Sequence, residues 1–159
     1  MYLSNKLTGS GIFSLLFLLP LFSFALNALH KTPVQSSAGV LAHTEKLVLT
    51  NPYSAFLLIQ KLRKQYTDQG DIHALAICYQ QLGKIFHYQG AYAQALTFYL
   101  KADKVFRREH DRLFIAQNLN NIAQTYSSAH LKQKSLPMFK EALKIFQELR
   151  NDKGIAKTY

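Results

Sequence analysis

From residue 52 to residue 150 the apolar side chains recur at spacings of three and four, which traces one face of an α-helix. Ala55, Phe56, Ile59, Leu62 and Tyr66 form the first such face. Thr50-Asn51-Pro52 gives it a start, because Asn51 can cap and Pro52 suits the first helical position. Its end is expected near Asp68-Gln69-Gly70, where Gly70 can take the left-handed terminal conformation. Asp71 caps a second helix carrying Ala74, Ile77, Cys78, Leu82, Ile85 and Phe86, which Gln89-Gly90 closes. A third runs from about Tyr92 to Arg107 with Ala95, Leu96, Tyr99, Ala102, Val105 and Phe106, and Glu109-His110-Asp111 breaks it. A fourth is expected over Arg112 to Ser127 with Ile115, Ala116, Leu119, Ile122, Ala123 and Tyr126, followed by a turn over Ser128 to Leu131. The fifth, Lys132 to Leu149, carries Leu136, Phe139, Ala142, Leu143 and Phe146, with Asn151-Asp152-Lys153-Gly154 as its breaker. Pro137 lies inside it and should kink or delay it, since proline removes a backbone donor.

These faces repeat. With Gly83 laid over Ala123, the two halves of Asp71 to Arg150 align at a constant offset of 40 residues. Tyr79 then lies over Leu119, Leu82 over Ile122, Phe86 over Tyr126, Ala95 over Ser135, Tyr99 over Phe139 and Ala102 over Ala142. The offset extends backward to Ala55, Ile59, Leu62 and Tyr66, and forward to Ala156 and Tyr159. A constant period of this size predicts an all-α fold of antiparallel helical hairpins stacked as a solenoid. The units run from about 71 to 110 and from 111 to 150, with partial units at both ends of a repeat domain over 51–159. Small residues at Gly83 and Ala123, facing Ala95 and Ser135, let paired helices approach closely. Tyr79, Phe86, Tyr99 and Phe106 are expected to fill the space between neighbouring hairpins, each hairpin covering the next.

The N-terminal part reads differently. Lys6 is followed by an almost wholly apolar run from Ile12 to Phe22, then by Ser23-Phe24-Ala25 with small residues where a signal peptidase reads. Residues 1–25 therefore look like a secretory signal peptide, cleaved after Ala25 or alternatively after Ala28. The run is short for a membrane span, and Pro20 interrupts it; the other option is an uncleaved N-terminal anchor. The rest of the chain is then exported, to the periplasm or beyond. Residues 26–50 are expected to be a linker, at Asn27 to Ala38, followed by a degenerate or capping half-repeat with apolar Val40, Leu41, Leu47 and Leu49.

Composition narrows the function. The chain has 159 residues, 48% of them hydrophobic, including nine Tyr and eleven Phe, enough to bury a core. Its formal charge is +10, from 19 Lys and Arg against nine Asp and Glu. The basic residues are spread along the chain without a long run, which argues against a nucleic-acid partner. The single cysteine, Cys78, excludes an intramolecular disulfide and reads as a small buried apolar residue. His30, His43, His73, His87, His110 and His130 are scattered with no metal-ligand spacing, and no glycine-rich phosphate loop exists. No catalytic residue, metal site or cofactor is expected.

The quoted residues resemble the tetratricopeptide repeat (TPR). That family places a large residue, then Leu-Gly, then Tyr in the first helix, matched by Tyr79, Leu82-Gly83 and Phe86; its second helix has Ala, an aromatic and Ala, matched by Ala95, Tyr99 and Ala102. Leu119, Ile122-Ala123, Tyr126, Ser135, Phe139 and Ala142 match it less closely. The resemblance covers about Asn51 to Tyr159 and implies a right-handed TPR-like solenoid. The period of 40 departs from the family's usual ~34. With the leader, it is similar to extracytoplasmic repeat regions of bacterial, Bacteroidetes-like, sensor kinases and regulators.

The resemblance further implies a non-enzymatic module that holds a protein or peptide in a concave groove lined by the first helices. By register the groove positions are Gln80, Lys84 and His87 in one unit and Asn120, Gln124 and Ser127 in the next, expected as a polar, outward-facing set. The alternative is a truncated extracytoplasmic sensory region of a histidine kinase or transcriptional regulator. Membrane contact is expected only through an uncleaved N-terminal segment. Ile155 and Tyr159 are expected to lie uncovered and to promote self-association through the last hairpin.

Overall fold

A computed structural model of the chain describes residues 37–158, which form one unit; the leader expected at 1–25 and Tyr159 lie outside the described residues. The described residues are seven helices joined by tight turns: α1 Ser37–Thr50, α2 Pro52–Gln69, α3 Ile72–Tyr88, α4 Tyr92–Arg108, α5 Arg112–Ser128, α6 Lys132–Glu148 and α7 Asp152–Thr158. From α2 onward every helix begins 20 residues after the last, so the period of 40 is itself made of two equal halves.

The turns explain this spacing. Gly70, Gly90, His110, His130 and Arg150 all have positive φ, between 52° and 74°. At each, the next residue's N–H reaches back five residues, to the carbonyls of Tyr66, Phe86, Phe106, Tyr126 and Phe146. The left-handed residue's own N–H bonds three residues back, to Thr67, His87, Arg107, Ser127 and Gln147. This is the six-to-one, five-to-two closure that satisfies the last carbonyls of a helix. In every turn the carbonyl that accepts the long bond belongs to an aromatic residue.

Side chains on α2, α3, α5 and α7 complete the punctuation. The Oδ1 atoms of Asn51, Asp71, Asp111 and Asn151 accept the backbone N–H of the residue three ahead, at 2.7–3.1 Å. α4 and α6 start at Ala91 and Leu131 with no side-chain cap. The expected breaker over Asn151 to Gly154 is thereby corrected: Asn151 is a cap, and Asp152, Lys153 and Gly154 lie inside α7. The linker is corrected too, since Ser37 and Ala38 already belong to α1, whose Thr44 and Val48 are buried. Pro137 does not delay α6, which starts at Lys132 just as α4 starts at Tyr92. Pro137 and Gln133 are exposed, so water can take the carbonyl that proline leaves without a donor.

Within a hairpin the contact is small against large. A Cβ on Gly83 would lie 2.6 Å from the ring of Tyr99, which is 1% exposed; between hairpins, a Cβ on Gly154 of α7 would press as tightly on the ring of Phe146 of α6. Ala95, Ala102, Ala116, Ala123 and Ala142 are fully buried. Phe106 and Phe146 join Ile77, Ile115 and Leu119 in one core cluster that spans hairpins. Tyr79 and Phe86 stack on Phe98 of their own hairpin, with centroids 6.3 and 5.4 Å away, and also pack against core clusters that hold Leu119 and Ile122 of the next hairpin. Ile155 packs against the cluster that holds Phe146, so it is not the uncovered side chain the sequence suggested.

Backbone contacts join α1 to α3, α3 to α5 and α5 to α7, whereas none joins α2 to α4 or α4 to α6. The odd-numbered helices are therefore the inner, concave layer and α2, α4 and α6 the outer one.

Four substitutions test this account. Replacing His110, His130 and Arg150 by glycine should stabilise by about 0.5–1 kcal/mol each, because a β-carbon is disfavoured at positive φ, and together raise Tm by roughly 5–10 °C. Gly83→Ala should destabilise by about 1–3 kcal/mol in thermal or urea unfolding, since the Tyr99 ring has no free space to move into.

Candidate functional site

The inner layer contains a cavity of about 170 Å³. α3 supplies Gln80 and Lys84, α5 supplies Gln117, Asn120 and Asn121, α1 supplies Glu45, and α7 supplies Lys153 and Lys157. Phe146, Asn151 and Gly154 complete the lining. Gln80 and Asn120 stand at the same register position one unit apart, so the stacking of α3 on α5 brings their amides into the same wall.

Both amides are nearly inaccessible, Gln80 at 2% and Asn120 at 5% exposure, which corrects the expectation that they lie on a solvated face. Gln80 Nε2 and Asn120 Oδ1 have no hydrogen-bond partner among the described residues. A buried polar atom without a partner costs ~1–3 kcal/mol, and here one free donor and one free acceptor belong to side chains lining the same cavity.

The cavity is also basic. Lys84 Nζ lies 2.9 Å from Glu45 Oε1. Burial alone would raise the Glu45 carboxyl, but the charge and hydrogen bond of Lys84, with Lys157 and Lys153 further off, outweigh it and hold the group below its ordinary value. Lys153 and Lys157 form no ion pair among the described residues, so three ammonium groups face one carboxylate.

The other expected groove residues lie elsewhere. His87 does not line the cavity: its Nδ1 is 2.9 Å from Thr125 Oγ1. The Thr125 hydroxyl donates to the Asn121 carbonyl at 2.8 Å, so the ring nitrogen is the donor to Thr125. Burial pushes the His87 pKa down. Gln124 and Ser127 are exposed on α5 and touch no part of the cavity. Glu45, Gln117, Asn121, Lys153 and Lys157 were missed. Lys157 lies over Gln117 at the 40-residue offset, but that register position was not among those expected to line the groove; Glu45 sits on a helix with no repeat residues and carried no signal.

Among the described residues no group of three or more His, Cys, Asp or Glu side chains is placed to hold a metal. The Cys78 thiol is buried and its pKa is pushed up to about 12, so it stays protonated and unreactive. What the site offers is hydrogen bonding and positive charge.

The seven helices, their paired stacking and the small-against-aromatic contacts meet the comparison with known families at one point: residues 74–148 match the family model of the tetratricopeptide repeat. Residues 74–148 are tetratricopeptide repeats. No curated protein and no solved structure matches it. TPR repeats generally mediate protein–protein contact and are typically non-catalytic. The matched residues take in α4, α5 and α6 whole and nearly all of α3.

The His87 contact gives this TPR stack a pH response. Its folded pKa lies below the ordinary 6.5, so the unfolded chain takes up the proton first as pH falls. The stability contributed by the neutral ring is fully present above that value and is lost as pH falls through the folded one. Tm should drop between about pH 7 and pH 5, and His87→Gln should flatten the slope; an unchanged slope would refute the assignment.

Proposed function

We propose that this chain is a non-catalytic TPR module that holds a protein or peptide segment against its concave inner layer, with the polar cavity as the anchoring point. The observation that carries this is the pair of buried, unpartnered amide atoms, Gln80 Nε2 and Asn120 Oδ1, on side chains lining one basic cavity. Buried polar atoms without partners cost stability, and a ligand with its own donors and acceptors relieves that cost. The three lysines favour a segment bearing carboxylates. Lys84 is already engaged by Glu45, so Lys153 and Lys157 are the cations open to a partner, and the lining of α7 becomes part of the binding surface.

The test couples stability to binding. Gln80→Met keeps the size and removes the orphaned donor, so it should raise stability by about 1 kcal/mol. A random peptide library panned against the folded chain should enrich carboxylate-bearing sequences. Those peptides should bind Gln80→Met about tenfold more weakly, and should also lose affinity for Lys153→Ala. A library that yields no enriched sequence, or sequences that bind both variants as well as the parent, would overturn the proposal.

A further inference from the structure

The positive charge is unevenly divided between the two layers. The outer helices α2, α4 and α6 carry eleven Lys and Arg against four acidic residues, whereas the inner helices α1, α3, α5 and α7 carry five against two. Three of the four outer acids are already neutralised. Asp103 and Glu141 both pair with Arg107, at 2.7 and 3.2 Å, and Glu148 pairs with Arg112 of α5. The Arg107–Glu141 pair also ties α4 to α6, making them neighbours on the outer side.

What remains is a repeated pattern. Lys64, Lys104 and Lys144 are exposed and occupy one register position on three successive outer helices. Lys61, Lys101 and Lys140 are exposed beside them. Lys101 lies over the rings of Tyr79 and Phe98, and Lys144 lies within electrostatic reach of Glu148. Lys61, Lys64, Lys104, Lys140 and Lys144 form no ion pair among the described residues. On each helix an exposed leucine precedes a lysine by one turn, and so shares its face: Leu57 before Lys61, Leu100 before Lys104, Leu136 before Lys140. These leucines are 52, 57 and 55% exposed, and Tyr53 is 72% exposed.

One exposed leucine needs no explanation. A leucine–lysine step on each of the three outer helices, each at its own register position, does. Phosphates of a nucleic acid would take the lysines but gain nothing from the leucines. An anionic bilayer takes both, with headgroups at the lysines and the acyl boundary a few ångströms below them. We infer that the outer face of α2, α4 and α6 docks on an anionic lipid surface, with Tyr53, Leu57, Leu100 and Leu136 dipping between the headgroups. No described helix is long and apolar enough to cross a membrane, so this contact is peripheral. It leaves the inner cavity facing away from the lipid.

Vesicle co-sedimentation of the full chain tests this, on phosphatidylcholine alone and on phosphatidylcholine with about a third phosphatidylglycerol. The apolar stretch at 12–22 binds both kinds without regard to charge, so the quantity read is the preference for phosphatidylglycerol. The chain should show a clear preference that ~0.5 M salt abolishes. Each lysine at an anionic surface contributes about fivefold, so K64E/K104E/K144E should reduce it about a hundredfold, to the phosphatidylcholine level. L57S/L100S/L136S should weaken it with helicity unchanged, while leaving retention on a polyanion column as it was. No preference for phosphatidylglycerol, or a preference that the lysine reversals do not touch, would overturn the inference. So would leucine replacements without effect on vesicles, alongside lysine-dependent binding to duplex DNA, which would assign the face to nucleic acid.

Discussion

Everything in this stack depends on how each helix stops. At Gly70, Gly90, His110, His130 and Arg150 the chain turns left-handed, and the following N–H reaches back five residues to an aromatic residue's carbonyl. The rings of Tyr66, Phe106 and Phe146 are among the most buried in the protein. One residue thus closes the helix with its backbone and anchors the core with its side chain. Because every turn has the same form, every helix-and-turn has the same length. Residues 40 apart are then stacked on successive layers. Three of the five left-handed positions hold residues with a β-carbon, and the strain persists because the ring behind each turn is held in the core or half-buried beside it.

The close approach of paired helices is the second constraint. Gly83 against Tyr99 and Gly154 against Phe146 allow a separation that a β-carbon would forbid. The inner helices bring their backbones close to their successors while the outer ones meet only through side chains, so the stack has an inside and an outside. The two sides have opposite chemistry. The inside buries amides that lack partners beside a basic cavity; the outside carries exposed lysines interleaved with leucines. A protein segment on one side and an anionic surface on the other are compatible, since no residue is asked to serve both.

Most of the fold was legible in the chain. The caps Asn51 and Asp71, the left-handed Gly70, the offset of 40 and the small residues at Gly83 and Ala123 all follow from local rules, because backbone hydrogen bonds and helix periodicity are set within a few residues. His110, His130 and Arg150 were harder to recognise as turn residues, since nothing in their side chains announces positive φ. α7 was misjudged for a related reason. Asn-Asp-Lys-Gly has the composition of a loop, and only the ring of Phe146 shows why a glycine belongs inside that helix.

The site was legible only in part. Gln80, Lys84 and Asn120 followed from register, but register cannot say that two of them are buried, or that Glu45 reaches Lys84 from a helix without repeat residues. Charge shows the same division. Along the chain the lysines look scattered, and by sequence spacing alone they form no patch. Stacking at a fixed repeat collects Lys64, Lys104 and Lys144 on one side. The sequence by itself determined the helices, their caps and their period, since these arise from contacts between near neighbours. Which side chains share a cavity and which share a face was decided only by the tertiary structure, because those meetings join residues some 40 positions apart.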